Sequence, residues 1–168
     1  MPNASPAKPL KSWAAVAPHL VDVAMGRKPA DMVVRNGRWV NVHSGEIIPG
    51  TDLAVAEGRF AWCGPDAGHC IGPDTQVIDA AGRYLVPGLC DGHMHVESGM
   101  VTVTEFSRAV IPHGTTSMFI DPHEIANVLG IDGIRYFLDC AMATIMDLRV
   151  QLSSCVPATH LETSGARL

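Results

Sequence analysis

Tyr84-Leu85-Val86-Pro87-Gly88-Leu89-Cys90-Asp91-Gly92-His93-Met94-His95 is the stretch on which the reading of this chain turns. It runs apolar, breaks at Pro-Gly and ends in two histidines one residue apart. From here strand-like and helix-like segments alternate. Leu85–Asp91 reads as a strand, Val103–Val110 as a helix, and Thr115–Ile120 as a strand bounded by Gly114 and Asp121-Pro122. Ile131–Met146 has the spacing of an amphipathic helix, and Arg149–Cys155 reads as a third strand closed by Pro157. The order β-α-β-α-β implies parallel strands joined by crossover helices.

Upstream the texture differs. Residues 1–12 read as a flexible lead-in, and Trp13–Met25 as a helix with Val16, Leu20, Val23 and Ala24 on one side, ended by Gly26. Asp31–Val42 alternates around Asn36-Gly37, a strong short-range signal for a hairpin turn. Short β-rich runs follow at Thr51–Val55, Arg59–Cys63 and Gln76–Asp79, separated by turn residues at Pro49-Gly50, Glu57-Gly58, Gly64-Pro65 and Gly82. Three segments result: a lead-in and helix over 1–30, a small all-β, sandwich-like domain over 31–86, and an α/β part over 87–168. The fold class is α/β, with the first three strands of a TIM-like (β/α) barrel after the β domain. A complete barrel takes about 250 residues, and three parallel strands alone leave an apolar sheet edge that proteins normally cover. The sequence is therefore expected to be an excerpt of a longer protein or a truncated product.

Composition narrows the function. Hydrophobic residues make up 47% and charged ones 17% of 168 residues, which supports a packed core. Twelve basic against 17 acidic residues give a net charge of -5, and no Lys/Arg cluster marks a nucleic-acid site. The five cysteines are widely spaced with no Cys-x-x-Cys pair, so they read as reduced thiols of a cytoplasmic protein. No secretory signal and no membrane-spanning stretch is read. Met100, Met118, Met142 and Met146 read as core filler, and His19, His43, His69 and His160 as ordinary surface or loop residues.

The chemistry gathers at strand ends. On a strand, His93 and His95 point to one face, where two imidazoles can grip a divalent cation. Asp91 shares that face and could orient a ligand from behind. Glu97 follows in phase if the strand extends that far. Asp121, His123 and Glu124 fall on the loop after the second strand, on the face where barrels carry their active sites. For Asp121 two readings stand: a functional group, or the cap of the next helix. His123 and Glu124 read as functional, since a cap does not need them as a pair. Ser153, Ser154 and Cys155 close the third strand, either contacting substrate or simply packing tightly. His113 precedes the second strand, at the opposite face, and reads as structural.

The chain resembles the amidohydrolase superfamily in Pro-Gly-x-x-Asp-x-His-x-His after a small β domain. His93-Met94-His95-Val96-Glu97-Ser98 resembles a signature of bacterial adenine deaminases. Pro112-His113-Gly114-Thr115-Thr116, Asp121–Gly130, Ser153–Ala158 and Glu162–Ala166 also look like that family. The cytidine-type zinc deaminases are set apart by their Pro-Cys-x-x-Cys, which is missing here. The resemblance implies hydrolytic deamination of adenine to hypoxanthine and ammonia, in purine salvage, by a metal-activated hydroxide. It implies His93 and His95 as metal ligands, Asp91 and Asp121 behind them, and Glu97, His123 and Glu124 as catalytic groups. Ser154 and Cys155 would contact adenine. Mn²⁺ or Fe²⁺ is implied over Zn²⁺, as is a homo-oligomeric full-length enzyme. Further ligands and a proton-shuttling Asp are implied on later strands, which are not in this sequence. The 168 residues alone are expected to turn over negligibly and hold metal weakly. The alternatives are a cyclic amidohydrolase of the dihydroorotase or allantoinase kind, or an inactive truncated product.

Overall fold

The computed structural model describes residues 11–166, so most of the expected lead-in lies outside the described residues. The chain divides into two compact units, one ending at Pro87 and the other running from Gly88.

In the first unit, helix α1 spans Trp13–Ala24. Ser12 caps it, its side chain accepting from the Ala15 amide at 3.3 Å, and Gly26 leaves it at φ +68°. Pro18 sits inside the helix, where it removes one backbone bond. The helix persists because Val16, Leu20 and Val23 bury against Val33, Ala54 and Ala56. The sheet strands are β1 (Met32–Asn41), β2 (Glu46–Ala56), β3 (Arg59–Gly64), β4 (Gln76–Asp79) and β5 (Tyr84–Leu85), in the order β3-β2-β1-β4, with β5 also on β1. Among the described residues this is one sheet with a helix on it. The sequence suggested an all-β, sandwich-like unit; the small side chains of Ala54 and Ala56 instead let α1 approach the sheet closely.

The expected turn at Asn36-Gly37 is not a turn. Both residues lie inside β1, and the chain reverses later, over residues 42–45. Asn36 takes φ 59° and Gly50, on the paired strand, φ 62°. Pairing shifts after Val34↔Leu53 and regains its original offset at Arg38↔Pro49. Each strand therefore carries one extra residue, and the two bulges lie opposite each other. Asn-Gly favours positive φ, which serves a bulge as well as a turn. Asp52 accepts the bulged Asn36 amide at 2.8 Å, so that donor does not go unpaired.

In the second unit, β6 (Leu89–Met94), β7 (Thr115–Ile120) and β8 (Asp147–Val150) form a three-stranded sheet in that order, with both pairings parallel. Helix α2 (Val103–Val110) links β6 to β7, and α3 (His123–Leu129) and α4 (Ile131–Met142) link β7 to β8. Val96, Val103, Met118, Ile120, Phe137 and Met146 form the core. Three expectations change here. The third strand is Asp147–Val150, not Arg149–Cys155, because its place is set by the register Ser117↔Asp147 to Ile120↔Val150. The last helix stops at Met142. Met118 and Met146 fill the core, but Met100 is 93% and Met142 66% exposed.

A Cβ added at Gly88 would collide with the Thr116 side chain. Thr116 is β-branched and stiff, so it cannot rotate away cheaply. Gly88→Ala is expected to destabilise the protein by about 1–3 kcal/mol, the usual cost of overpacking. Thermal melting checks this, and an unchanged midpoint would contradict it.

Candidate metal centre

Strand β6 carries His93, and His95 follows directly after its end. His93 Nε2 and His95 Nε2 lie 2.9 Å apart, with ring centroids at 4.7 Å. Two nitrogens bonded at right angles to one cation, at about 2.0–2.1 Å each, would lie about 3 Å apart. The pair has that spacing. The His95 ring is fixed from behind: its Nδ1 lies 3.2 Å from the main-chain carbonyl of Asp121. An Nδ1–H donated there leaves Nε2 as a lone pair, which is the tautomer a ligand needs. Asp91 acts through the backbone. Its Oδ1 accepts the His93 amide at 3.1 Å rather than a ring nitrogen.

The end of β7 supplies the other groups. One ligand atom from each of His93, His95 and Asp121 lies within 4.8 Å of the others, and the same holds for His95, His123 and Glu124. The His123 ring stands edge-on to His95 with centroids at 4.6 Å, and its Nδ1 lies 3.5 Å from Asp121 Oδ2. Asp121 does not cap α3. The N-cap position falls on Pro122, with no side-chain cap bond. Asp121 Oδ1 and His123 Nδ1 are buried with no hydrogen-bond partner among the described residues. Buried polar groups are rarely left so. Imidazole and carboxylate donors together suit a first-row divalent cation.

Glu97 departs from its expected phase. β6 ends at Met94, and Val96–Gly99 forms a 3₁₀ turn. The Glu97 carboxylate turns toward α3, where Oε1 accepts the Ile125 amide at 3.1 Å. Oε2 is buried without a partner. The neighbouring Ser98 donates its hydroxyl to Glu124 Oε1 at 2.8 Å. Sequence reasoning gave Ser98 no role of its own, although it closes the quoted His-x-His-x-Glu-Ser motif.

Ser154 and Cys155 lie past β8, outside any strand, and both are exposed. Ser153 Oγ is 3.5 Å from Cys155 Sγ. Burial, with the nearby Asp66 carboxylate adding to it, pushes the Cys70 thiol up from its ordinary value, which argues against a thiolate nucleophile there. His69, read as an ordinary loop residue, reaches the carbonyl of Ala24 at 3.0 Å, near the end of α1. No helix among the described residues is long and apolar enough to cross a membrane.

Comparison with known proteins bears on this site. The chain is 71% identical over 168 residues to a protein of Mesorhizobium japonicum named adenine deaminase; the match covers 99% of this chain and 28% of that protein. It is 69% identical over 160 residues to one of Rhizobium meliloti named adenine deaminase 3, covering 95% of this chain and 27% of that protein. The chain thus spans little more than a quarter of these relatives' length. Among solved structures, an amidohydrolase superposes with a TM-score of 0.51 at 18% identity, over 71% of this chain and 31% of that one. At that identity the likeness speaks for the fold alone. Residues 84–167, half of the chain, match the family model described as the amidohydrolase family. Two paired histidines at the end of a parallel strand are thus found inside a matched family segment, and the chain belongs to the amidohydrolase family.

Proposed function

We infer that this protein deaminates adenine hydrolytically, releasing hypoxanthine and ammonia. The observation that carries the reading is the convergence of His93, His95, Asp121, His123 and Glu124 at the carboxyl ends of β6 and β7. The names of the relatives supply the substrate. β6, β7 and β8 are read as the first three strands of a (β/α)₈ barrel, whose active sites lie at that end.

Water is the second substrate: its oxygen joins C6 of the purine, and the C6–amino bond breaks with a proton passed to the leaving nitrogen. His93 and His95 would hold the cation through their Nε2 atoms. A bound divalent cation supplies a water of lowered pKa, hence a nucleophile at neutral pH. The chain's own residues set the geometry. Asp91 fixes the His93 backbone and the Asp121 carbonyl fixes the His95 ring. His123 and Glu124 stand on the same rim, placed to meet the purine or carry a proton. Ser154 and Cys155 follow β8 at the same end of the sheet and are the candidates for contact with the purine edge. Mn²⁺ or Fe²⁺ is favoured over Zn²⁺ on the family resemblance.

The test is direct. The protein, expressed at the full length of its relatives, is stripped with a chelator, reloaded separately with Mn²⁺, Fe²⁺ and Zn²⁺, and assayed for ammonia release from adenine and for ring opening of dihydroorotate and allantoin. Ammonia release that vanishes on chelation and returns best with Mn²⁺ or Fe²⁺ is expected. Ring opening without action on adenine would overturn the assignment.

A further inference from the structure

We propose that Glu97 and Ser98 form a clasp that positions the start of α3 against His95, and that neither is a reacting group. This rests on the metal-site reading above and deepens it.

Helix α3 begins badly on its own. Pro122 occupies its N-cap position and makes no side-chain cap bond, and the first amides of any helix need outside acceptors. Glu97 provides one from a different segment, 28 residues away in sequence, through Oε1 to the Ile125 amide at 3.1 Å. A carboxylate there also faces the positive end of the aligned peptide dipoles. Ser98 adds a second tie one residue on, from its hydroxyl to Glu124 Oε1 at 2.8 Å. The two bonds join the 3₁₀ turn after β6 to the first turn of α3 at two points. A single bond would leave the helix free to pivot; two restrict it.

What the clasp holds is the back of the site. The residues entering α3 are Asp121, whose carbonyl lies 3.2 Å from His95 Nδ1, and His123, whose ring packs edge-on against His95. The route runs from Glu97 to the Ile125 amide, to the first turn of α3, to the Asp121 carbonyl, and so to the His95 ring. Outer partners of metal-binding histidines change cation affinity by about 10–100-fold when lost. Glu97 and Ser98 are thus positioning residues.

A Glu97→Gln exchange separates this role from a chemical one. A Gln side chain keeps the Oε1 acceptor and replaces Oε2 with an amino group that cannot carry the proton or charge of a reacting carboxylate. Co²⁺ serves as the probe, titrated into the metal-stripped protein at the full length of its relatives and followed by visible absorption, with ammonia release from adenine assayed alongside. Glu97→Ala and Ser98→Ala are each expected to weaken Co²⁺ binding by about tenfold and to alter the bands of the bound ion. Glu97→Gln is expected to stay close to wild type in both assays, well short of the roughly tenfold loss expected when an outer partner is removed. Circular dichroism of each variant identifies misfolding; should Glu97→Ala misfold, Ser98→Ala and Glu97→Gln carry the test. If Glu97→Gln abolishes deamination while binding Co²⁺ normally, Glu97 is a reacting group and the clasp is overturned. Wild-type affinity in both folded Ala variants overturns it equally. A wild-type protein that shows no imidazole-bound Co²⁺ bands defeats the metal reading itself and the clasp with it, an outcome distinct from the other two.

Discussion

In the protein at the full length of its relatives, His95→Ala is expected to abolish stoichiometric cation binding and lower adenine deamination by more than about 100-fold, the upper end of what an outer partner of a metal ligand costs. The size follows from position. His95 belongs to both groups of ligand atoms at the site, with His93 and Asp121 on one side and with His123 and Glu124 on the other. No other residue is shared between them. Its Nδ1 is already committed to the Asp121 carbonyl, so the ring presents Nε2 in one orientation. An alanine removes the ligand and leaves that carbonyl without its donor. His113→Ala is the control: His113 precedes β7 at the opposite end of the sheet and is exposed. Metal analysis of the purified variants and an ammonia-release assay decide the matter. A His95→Ala protein that keeps a full complement of metal would refute the site, and so would a loss of equal size in His113→Ala.

Asp52→Ala is expected to destabilise the first unit by about 3 kcal/mol, because it strands two amides at once; each unsatisfied donor costs about 1–3 kcal/mol. Asp52 is 3% exposed. Its Oδ1 takes the Asn36 amide at 2.8 Å, and its Oδ2 takes the Ala67 amide at 3.1 Å and Arg35 Nε at 3.2 Å. Ala67 is itself fully buried, so water cannot readily replace the lost acceptor. Burial alone would raise the carboxyl's pKa, but the Asn36 and Ala67 amides and Arg35 together outweigh it, and the net direction is down. A carboxyl held lower in the folded state than in the unfolded chain adds stability at neutral pH. That contribution is lost as pH falls through its folded pKa. Denaturant melts at neutral pH and in acid test both points: the gap between wild type and Asp52→Ala should be widest near neutrality and shrink in acid. A gap below about 0.5 kcal/mol at neutral pH, the range of an ordinary surface substitution, would show that the three bonds contribute little.

Much of this was legible from residue types. Val16, Leu20 and Val23 announced the buried face of α1 by spacing alone, and the His93-x-His95 pair announced its shared face by the period of a strand. The end of β7 was legible too, because Asp121-Pro122 cannot extend a sheet. Other features were hidden for physical reasons. Asn36-Gly37 signals positive φ, and a bulge satisfies that demand as well as a hairpin does. β8 took its position from pairing with β7, which outweighed the turn and β signals of Arg149–Cys155. The partner of Glu97 is a backbone amide, and every residue but proline has one, so composition could not point to Ile125. Asp121 likewise meets His95 through a carbonyl that any side chain would have left in place.

The opposed bulges at Asn36 and Gly50 link the lengths of two strands. Because pairing regains its offset beyond them, each extra residue compensates for the other. Removing one alone would move everything beyond it by a single residue and turn inward-facing side chains outward. Removing both would keep every partner and lose only the kink. In evolutionary terms the two positions act as one character: descendants of this sheet can shed or keep them together, but an unmatched deletion inverts half the hairpin.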